Sequence, residues 1–318
     1  MMDIRKRIQS FNLQKYVVYL SFILILLFFG VTLKDKGFLS GGNIMNVLRQ
    51  TAMVSVMAIG MTFTITAGDI DLSIGSTVAL SALVSALALR SYSVIVAVLA
   101  GLAVGFVVGL VNGVITAKVR IPAFLVTLGT SGAISGLART ITNLEAVPIT
   151  NDSFNFLFGS GNIGSFSTLF IWTIILTIIG HLLLKKTPFG RAVHATGGNR
   201  SAARYSGVHT DRIRIIVLII SSLTAAMAGL LYAGRLHGAR YTLGEADLMT
   251  VIAAVVIGGT AFSGGKGSII GSIIGSIIMG MLNNGLLLMG LTVSEQMIAR
   301  GIIIIIAVSL SLREKLER

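Results

Sequence analysis

Long apolar runs, separated by short polar breaks, set the outline of this chain. Ten such runs predict ten helices: Tyr16–Leu33, Val47–Thr66, Ile74–Leu89, Val94–Ala117, Ala123–Thr142, Ser167–Leu184, Ile215–Arg235, Leu248–Phe262, Ile269–Met289 and Glu295–Leu312. Most are long enough to cross a bilayer as helices, which takes roughly 17–25 apolar residues, whereas barrel strands alternate over about ten. The first run follows a basic start (Arg5, Lys6, Arg7, Lys15) but shows no small-residue cleavage site, so it reads as an uncleaved first helix. Pro122 favours a fresh helix after the basic turn Lys118-Val119-Arg120-Ile121. Residues 143–166, rich in Asn, Ser and Gly, read as a loop.

The breaks differ in character. Gly68-Asp69-Ile70-Asp71-Leu72-Ser73-Ile74-Gly75-Ser76 and Gly258-Gly259-Thr260 to Gly264-Gly265-Lys266-Gly267-Ser268 are both glycine-rich interruptions between apolar runs. Together they suggest a weak internal echo and two broken helices of the kind that border transport pathways. The longest polar run is Thr187–Arg214, within a basic segment of about 185–214. Thr187-Pro188 can start a helix, Gly197-Gly198-Asn199 makes a turn, and Ser201–Tyr205 can form a short helix stopped by Gly207.

Composition agrees with this outline. The 318 residues are 54% hydrophobic and 12% charged, about half the charged fraction of a soluble domain, and mean hydropathy is +0.90. The expected fold is an all-α polytopic membrane protein, a single domain over 1–318 with about ten transmembrane helices. A net charge of +13 suggests nucleic acid only at first sight. With an inside N-terminus, ten spans put most cations on the cytoplasmic side, as the positive-inside rule requires. Both termini are then cytoplasmic, and so is the 185–214 segment; a nine-span arrangement fits the charges less well. The absence of cysteine removes disulfides and thiolate chemistry.

The candidate chemistry is polar but not catalytic. Asp69 and Asp71 between two apolar runs are costly in a membrane, and such groups usually mark a pathway or a partner. They can accept hydrogen bonds from a polyol or hold the broken helix; equally, Asp71 or Ser73 can cap the next helix at a cytoplasmic turn. Asn112, Asn283 and Asn284 suit hydroxylated solutes or join helices. Thr127, Thr130, Ser131 and Ser135 share one helix face, for a pathway or for close packing. The substrate-pathway candidates are therefore Asp69, Asp71, Ser73, Asn112, Thr127, Thr130, Asn283 and Asn284. No metal site, nucleophile elbow or Walker A sequence is present, and Gly264–Ser268 lacks the spacing for the last. No cofactor is expected in this chain. Any ATP must be hydrolysed by another subunit.

These motifs, taken in order, resemble ribose-type sugar permeases of ABC importers, within the branched-chain amino acid and sugar permease superfamily. The resemblance rests on Thr187–Val208, Gly68–Ser76, Ile121-Pro122-Ala123-Phe124, Thr127-Leu128-Gly129-Thr130, Ile257–Ser268 and Asn283-Asn284-Gly285. Departures are Ser201, where many relatives carry an acid, and Ala67-Gly68-Asp69 in place of a Gly-Gly pair. The resemblance implies a multi-pass subunit of the bacterial cytoplasmic (inner) membrane that moves a monosaccharide by alternating access. It implies a second permease copy or close paralogue, cytoplasmic ATPase subunits using ATP and Mg, and an extracytoplasmic sugar-binding protein. It also assigns ATPase coupling to Pro188, Phe189, Gly190, Arg191, Gly198, Asn199, Ala202, Ala203, Arg204 and Gly207. Contact is expected above all from Ala202, Ala203 and Gly207. Membrane lipid is the remaining partner, and nucleic acid is not one. The competing readings are a permease for branched-chain amino acids or nucleosides, and a self-sufficient secondary carrier.

Overall fold

The computed structural model describes residues 17–299, 301–303 and 305. The basic start, half of the run Glu295–Leu312 and the charged tail lie outside the described residues; 293–299 is helical. In chain order the main helices are α1 (Val17–Thr32), α2 (Gly41–Thr66), α3 (Ile74–Ala88), α4 (Val94–Val114), α5 (Ala123–Thr142), α6 (Asp152–Asn155), α7 (Thr168–Lys186), α8 (Pro188–Gly198), α9 (Arg200–Tyr205), α10 (Thr210–Leu236), α11 (Asp247–Ile257) and α12 (Ile269–Met289). α4 continues into a π-helical turn, Ile115–Val119. Six of these helices are long and apolar enough to cross a membrane: α2, α4 with its π turn, α5, α7, α10 and α12. Three more, α1, α3 and α11, are apolar but shorter.

Apolar runs and helices agree closely. α5 and α12 have the expected bounds. α2 starts six residues earlier than Val47 because the Ser40 side chain accepts from the Asn43 N–H and caps it. α10 starts at Thr210 rather than Ile215, which draws Asp211 and Arg214 into the helix. α11 stops at Ile257, short of Phe262, because Gly258-Gly259 turns the chain, with Gly259 at φ +84°. The expected loop 143–166 is partly ordered. Val147–Pro148 (β1) pairs antiparallel with Gly238–Ala239 (β4), and Asn162–Ile163 (β2) with Phe166–Ser167 (β3).

α10 is the central post and packs against α4, α2 and α3. Its contact with α4 follows from a run of glycines. Gly101, Gly105, Gly109 and Gly113 recur every four residues, so they form one stripe on α4. A Cβ at Gly105 would lie 2.5 Å from the Ser222 carbonyl, and one at Gly109 2.5 Å from the Ile219 Cα. Only glycine lets the two backbones approach so closely, the usual device for joining helices where lipid gives no hydrophobic drive. α12 packs against α2, α11 and α1 on the other side. The largest core cluster lies among α2, α3, α10 and α11, with Met57, Met61, Leu83, Leu230 and Leu231 fully buried.

Candidate functional site

At one end of the bundle, five segments converge: the end of α2, the π turn after α4, the α8–α9 pair, the start of α10 and the turn 263–267. The α8–α9 pair is built as its sequence indicates. Thr187 caps α8 through its hydroxyl, which accepts from the Gly190 N–H at 3.1 Å, and Pro188 takes the first turn. Asn199 leaves α8 in an extended conformation and caps α9 by accepting from the Ala202 N–H at 2.9 Å. Gly207 ends the segment at φ +85°, a left-handed conformation that favours glycine.

This pair has two faces. Pro188, Arg191, Gly198, Asn199, Ala202 and Arg204 are exposed, and Tyr205 is 93% exposed. Gly190 and Val193 are buried, Phe189 is half-buried with its ring 6.1 Å from that of Phe63, and Gly190 packs on the Leu184 carbonyl. Ala203 is also buried, at 5% exposure, so it cannot be a contact for an outside partner. The expected contact set is corrected accordingly: every residue of α9 except Ala203 is exposed, and Ala203 seats the helix on its own chain.

The inner edge of α8 is locked to both glycine-rich breaks. Gly197 packs against the Thr66 carbonyl at the end of α2. A Cβ there would also come within 2.7 Å of the Gly265 nitrogen. Gly265 donates its N–H to the same Thr66 carbonyl at 2.9 Å. His194 Nδ1 lies 3.1 Å from the Gly265 carbonyl. Gly68, Gly264 and Gly265 all adopt positive φ, at +81°, +84° and +78°, where side chains are strained. The two breaks noticed in the sequence thus meet at one point, with α8 wedged between them.

Asp69 sits beside this joint and is 6% exposed. Its carboxylate takes a bidentate pair from Arg214, Nε to Oδ2 at 2.7 Å and Nη2 to Oδ1 at 2.8 Å. Arg214 also donates to the Thr116 carbonyl in the π turn at 3.0 Å. Arg200, from α9, reaches Asp69 Oδ1 at 3.5 Å. One carboxylate therefore ties α9, α10 and the end of α2. Arg214 had the appearance of an orienting loop cation in the sequence. Its apolar run begins only at Ile215, and the extra turn from Thr210 that carries Arg214 into the helix, where a charge needs a partner, left no apolar signal.

Asp71 is buried deeper. Its Oδ1 accepts from the Ser73 N–H at 2.9 Å and the Ser73 hydroxyl at 2.6 Å, and Asn112 donates to that hydroxyl at 3.0 Å. The cap reading is half right: Asp71 holds the start of α3, while the Ser73 side chain caps nothing. Thr127 supports the same segment, accepting from the Leu72 N–H at 3.0 Å. Asp69, Asp71, Ser73, Asn112 and Thr127 are thus brought together around residues 69–73, all buried. Their hydrogen bonds shape the broken helix.

Asn283, Asn284 and Thr130 stand apart from this group. Asn284 exchanges two amide hydrogen bonds with Asn43, at 2.9 and 3.0 Å, joining α12 to α2. Such a pair between membrane helices contributes on average about 0.6 kcal/mol per bond. Thr130 returns its hydroxyl to the Val126 carbonyl of its own helix at 2.8 Å. It lies on α5 between glycines that meet no neighbour: a Cβ at Gly129, Gly132 or Gly136 would enter open space.

The fold and this joint define a multi-pass, all-helical membrane protein whose surface segment is keyed into two broken helices. The chain belongs to the family described as branched-chain amino acid transport system / permease component, whose pattern matches residues 43–308. It is 40% identical over 293 residues to the ribose import permease protein RbsC of Bacillus subtilis (strain 168), covering 91% of this chain and 89% of that protein. The ribose import permease protein RbsC of Escherichia coli (strain K12) is 38% identical, with 87% and 88% covered. The xylose transport system permease protein XylH of Escherichia coli (strain K12) is 31% identical, with 95% and 92% covered. No solved structure matches the chain.

Proposed function

We infer that this chain is the membrane subunit of an ABC importer for a ribose-like pentose. The relatives above are ribose and xylose permeases, matched over nearly their whole length. The observation that carries the mechanism is the joint at Gly197, whose own backbone packs against both broken helices. A push on the exposed face of α8 and α9 is then delivered to α2 and to the turn before α12 at the same moment.

In this reading the exposed face of α8 and α9 meets a separate cytoplasmic ATPase subunit, which hydrolyses ATP with Mg. The chain crosses the bacterial cytoplasmic membrane about ten times as one permease unit, with both termini in the cytoplasm. A sugar-binding protein delivers solute on the opposite side. A second copy completes the pathway, with α5 facing it. Only 17% of the most apolar window of α5 is buried, against 61% for α10. Its exposed glycines and Thr130 leave a small, uncharged face, suited to a solute released rather than gripped. Alternating access follows if the two joint positions favour different α5 arrangements.

The test is uptake of labelled ribose into proteoliposomes holding the chain with its ATPase and binding protein. ATP-dependent uptake is expected. Uptake by the chain alone, driven by an ion gradient, would replace this reading with a secondary carrier.

A further inference from the structure

A cavity of about 470 Å³ opens beside the joint, between the end of α4, the start of α5 and the α9–α10 connection. Its polar wall holds Arg120, Arg200, Arg204, Arg214, Asp69 and Asp211. Four cations face two anions. Asp69 is taken up by the two hydrogen bonds from Arg214. Asp211 is paired with Arg204 at 2.9 Å. Arg200 has only the 3.5 Å approach to an already paired carboxylate. Arg120 makes no hydrogen bond or ion pair among the described residues. The cavity therefore carries an excess of two positive charges.

The backbone points the same way. Arg120 holds a left-handed conformation, φ +64°, between the π turn and Ile121-Pro122. Such conformations are unfavourable for a side-chain-bearing residue and cluster at functional sites. Pro122 gives α5 no side-chain cap, so the first N–H groups of a 20-residue helix lie at the cavity wall beside Ala123 and Phe124. Free helix N–H groups, the helix dipole and the unpaired Arg120 all favour one ligand chemistry, a phosphate oxyanion.

The remaining wall separates a lipid from a soluble anion. Ile121 and Phe124 line the cavity and are 37% and 47% exposed, and Val119 beside them is 62% exposed. These residues belong to segments at the end of α4 and the start of α5, two spanning helices, where acyl chains run. We propose that this cavity binds the headgroup phosphate of an acidic phospholipid, with its acyl chains along Ile121 and Phe124. Basic pockets at the cytoplasmic ends of spanning helices suit such headgroups. The cytoplasmic placement rests on the importer reading; the charge and the apolar wall do not.

The test uses the purified full chain in detergent, without ATPase, ATP or sugar, so its outcome is independent of the uptake experiment. Native mass spectrometry is titrated with dioctanoyl-phosphatidylglycerol, dioctanoyl-phosphatidylcholine or inorganic phosphate. Retention of the glycerol lipid above both others is expected. Arg120→Gly, which suits the left-handed backbone, and Arg120→Gln should each weaken it about fivefold, and Arg120→Lys much less. Arg90→Gln, an exposed arginine outside the cavity with no place in the coupling segment, should change nothing. Equal retention of the two lipids would overturn the proposal, and so would an unchanged Arg120→Gly variant or a loss in Arg90→Gln. Inorganic phosphate held as tightly as the glycerol lipid would make this a soluble-anion site and overturn the lipid assignment.

Discussion

The Asp69–Arg214 pair shows how much one residue can be asked to hold. Both side chains are under a tenth exposed and share two short hydrogen bonds. Removing one partner strands the other as a buried charge, a loss on the order of 3–5 kcal/mol. Arg214→Ala is thus expected to lower the melting temperature of the detergent-purified chain sharply. Asp69→Asn combined with Arg214→Gln should cost less than the sum of the single changes, read from a double-mutant cycle of melting curves; additive losses would show that the two act apart. Glycine supplies a second contrast. Gly197→Ala meets the Thr66 carbonyl, so ATPase stimulation by loaded binding protein should fall. Gly129→Ala meets nothing within 4 Å and should leave the melting temperature unchanged.

At the scale of elements, apolar run length was enough to place most helices. α5 and α12 were legible to the residue because Pro122 and Ser268 start them and Asn143 and Gly290 stop them in left-handed conformations. The α8–α9 pair was legible for the same reason, its caps being local. Pairings across the chain were not. Asp69 and Arg214 lie 145 residues apart, and Asn43 and Asn284 lie 241 apart. Nothing in the local pattern of either partner names the other, so the amides suit solute ligands and helix joints equally well, and Arg214 reads as a loop cation. The face of α9 was misjudged because a six-residue helix has too few turns to show which side is buried. The glycine stripe of α4 carries its own expectation. Gly105→Val would push a branched side chain into Ser222 and Ala226, so the variant should lose folded yield in gel filtration. Gly132→Val, on the open face of α5, should fold normally and lose ribose uptake under the proposed pathway role of that face; undiminished uptake would remove α5 from the pathway.

Over the whole molecule, the proposed ATPase contact and the proposed pathway face lie on different helices, α8–α9 and α5. Tyr205, almost fully exposed on α9, belongs to the first. Tyr205→Ala should abolish co-purification of the ATPase while the chain keeps its melting temperature. Retained co-purification would move the contact to the exposed edge of α8.

The contact at Gly197 has a mechanical consequence. Because it is made by main chain, it has no rotamers to absorb displacement, and it behaves as a stiff pivot. α2, whose last residue meets Gly197, has 26 residues and is about 39 Å long. A tilt of about 5° about the pivot end would sweep its far end through roughly 3.5 Å, estimated from that helix length. That is comparable to the width of a hydroxyl-bearing carbon, so a small stroke at the α8–α9 surface has the reach to admit or exclude a single sugar at the far end of the bundle.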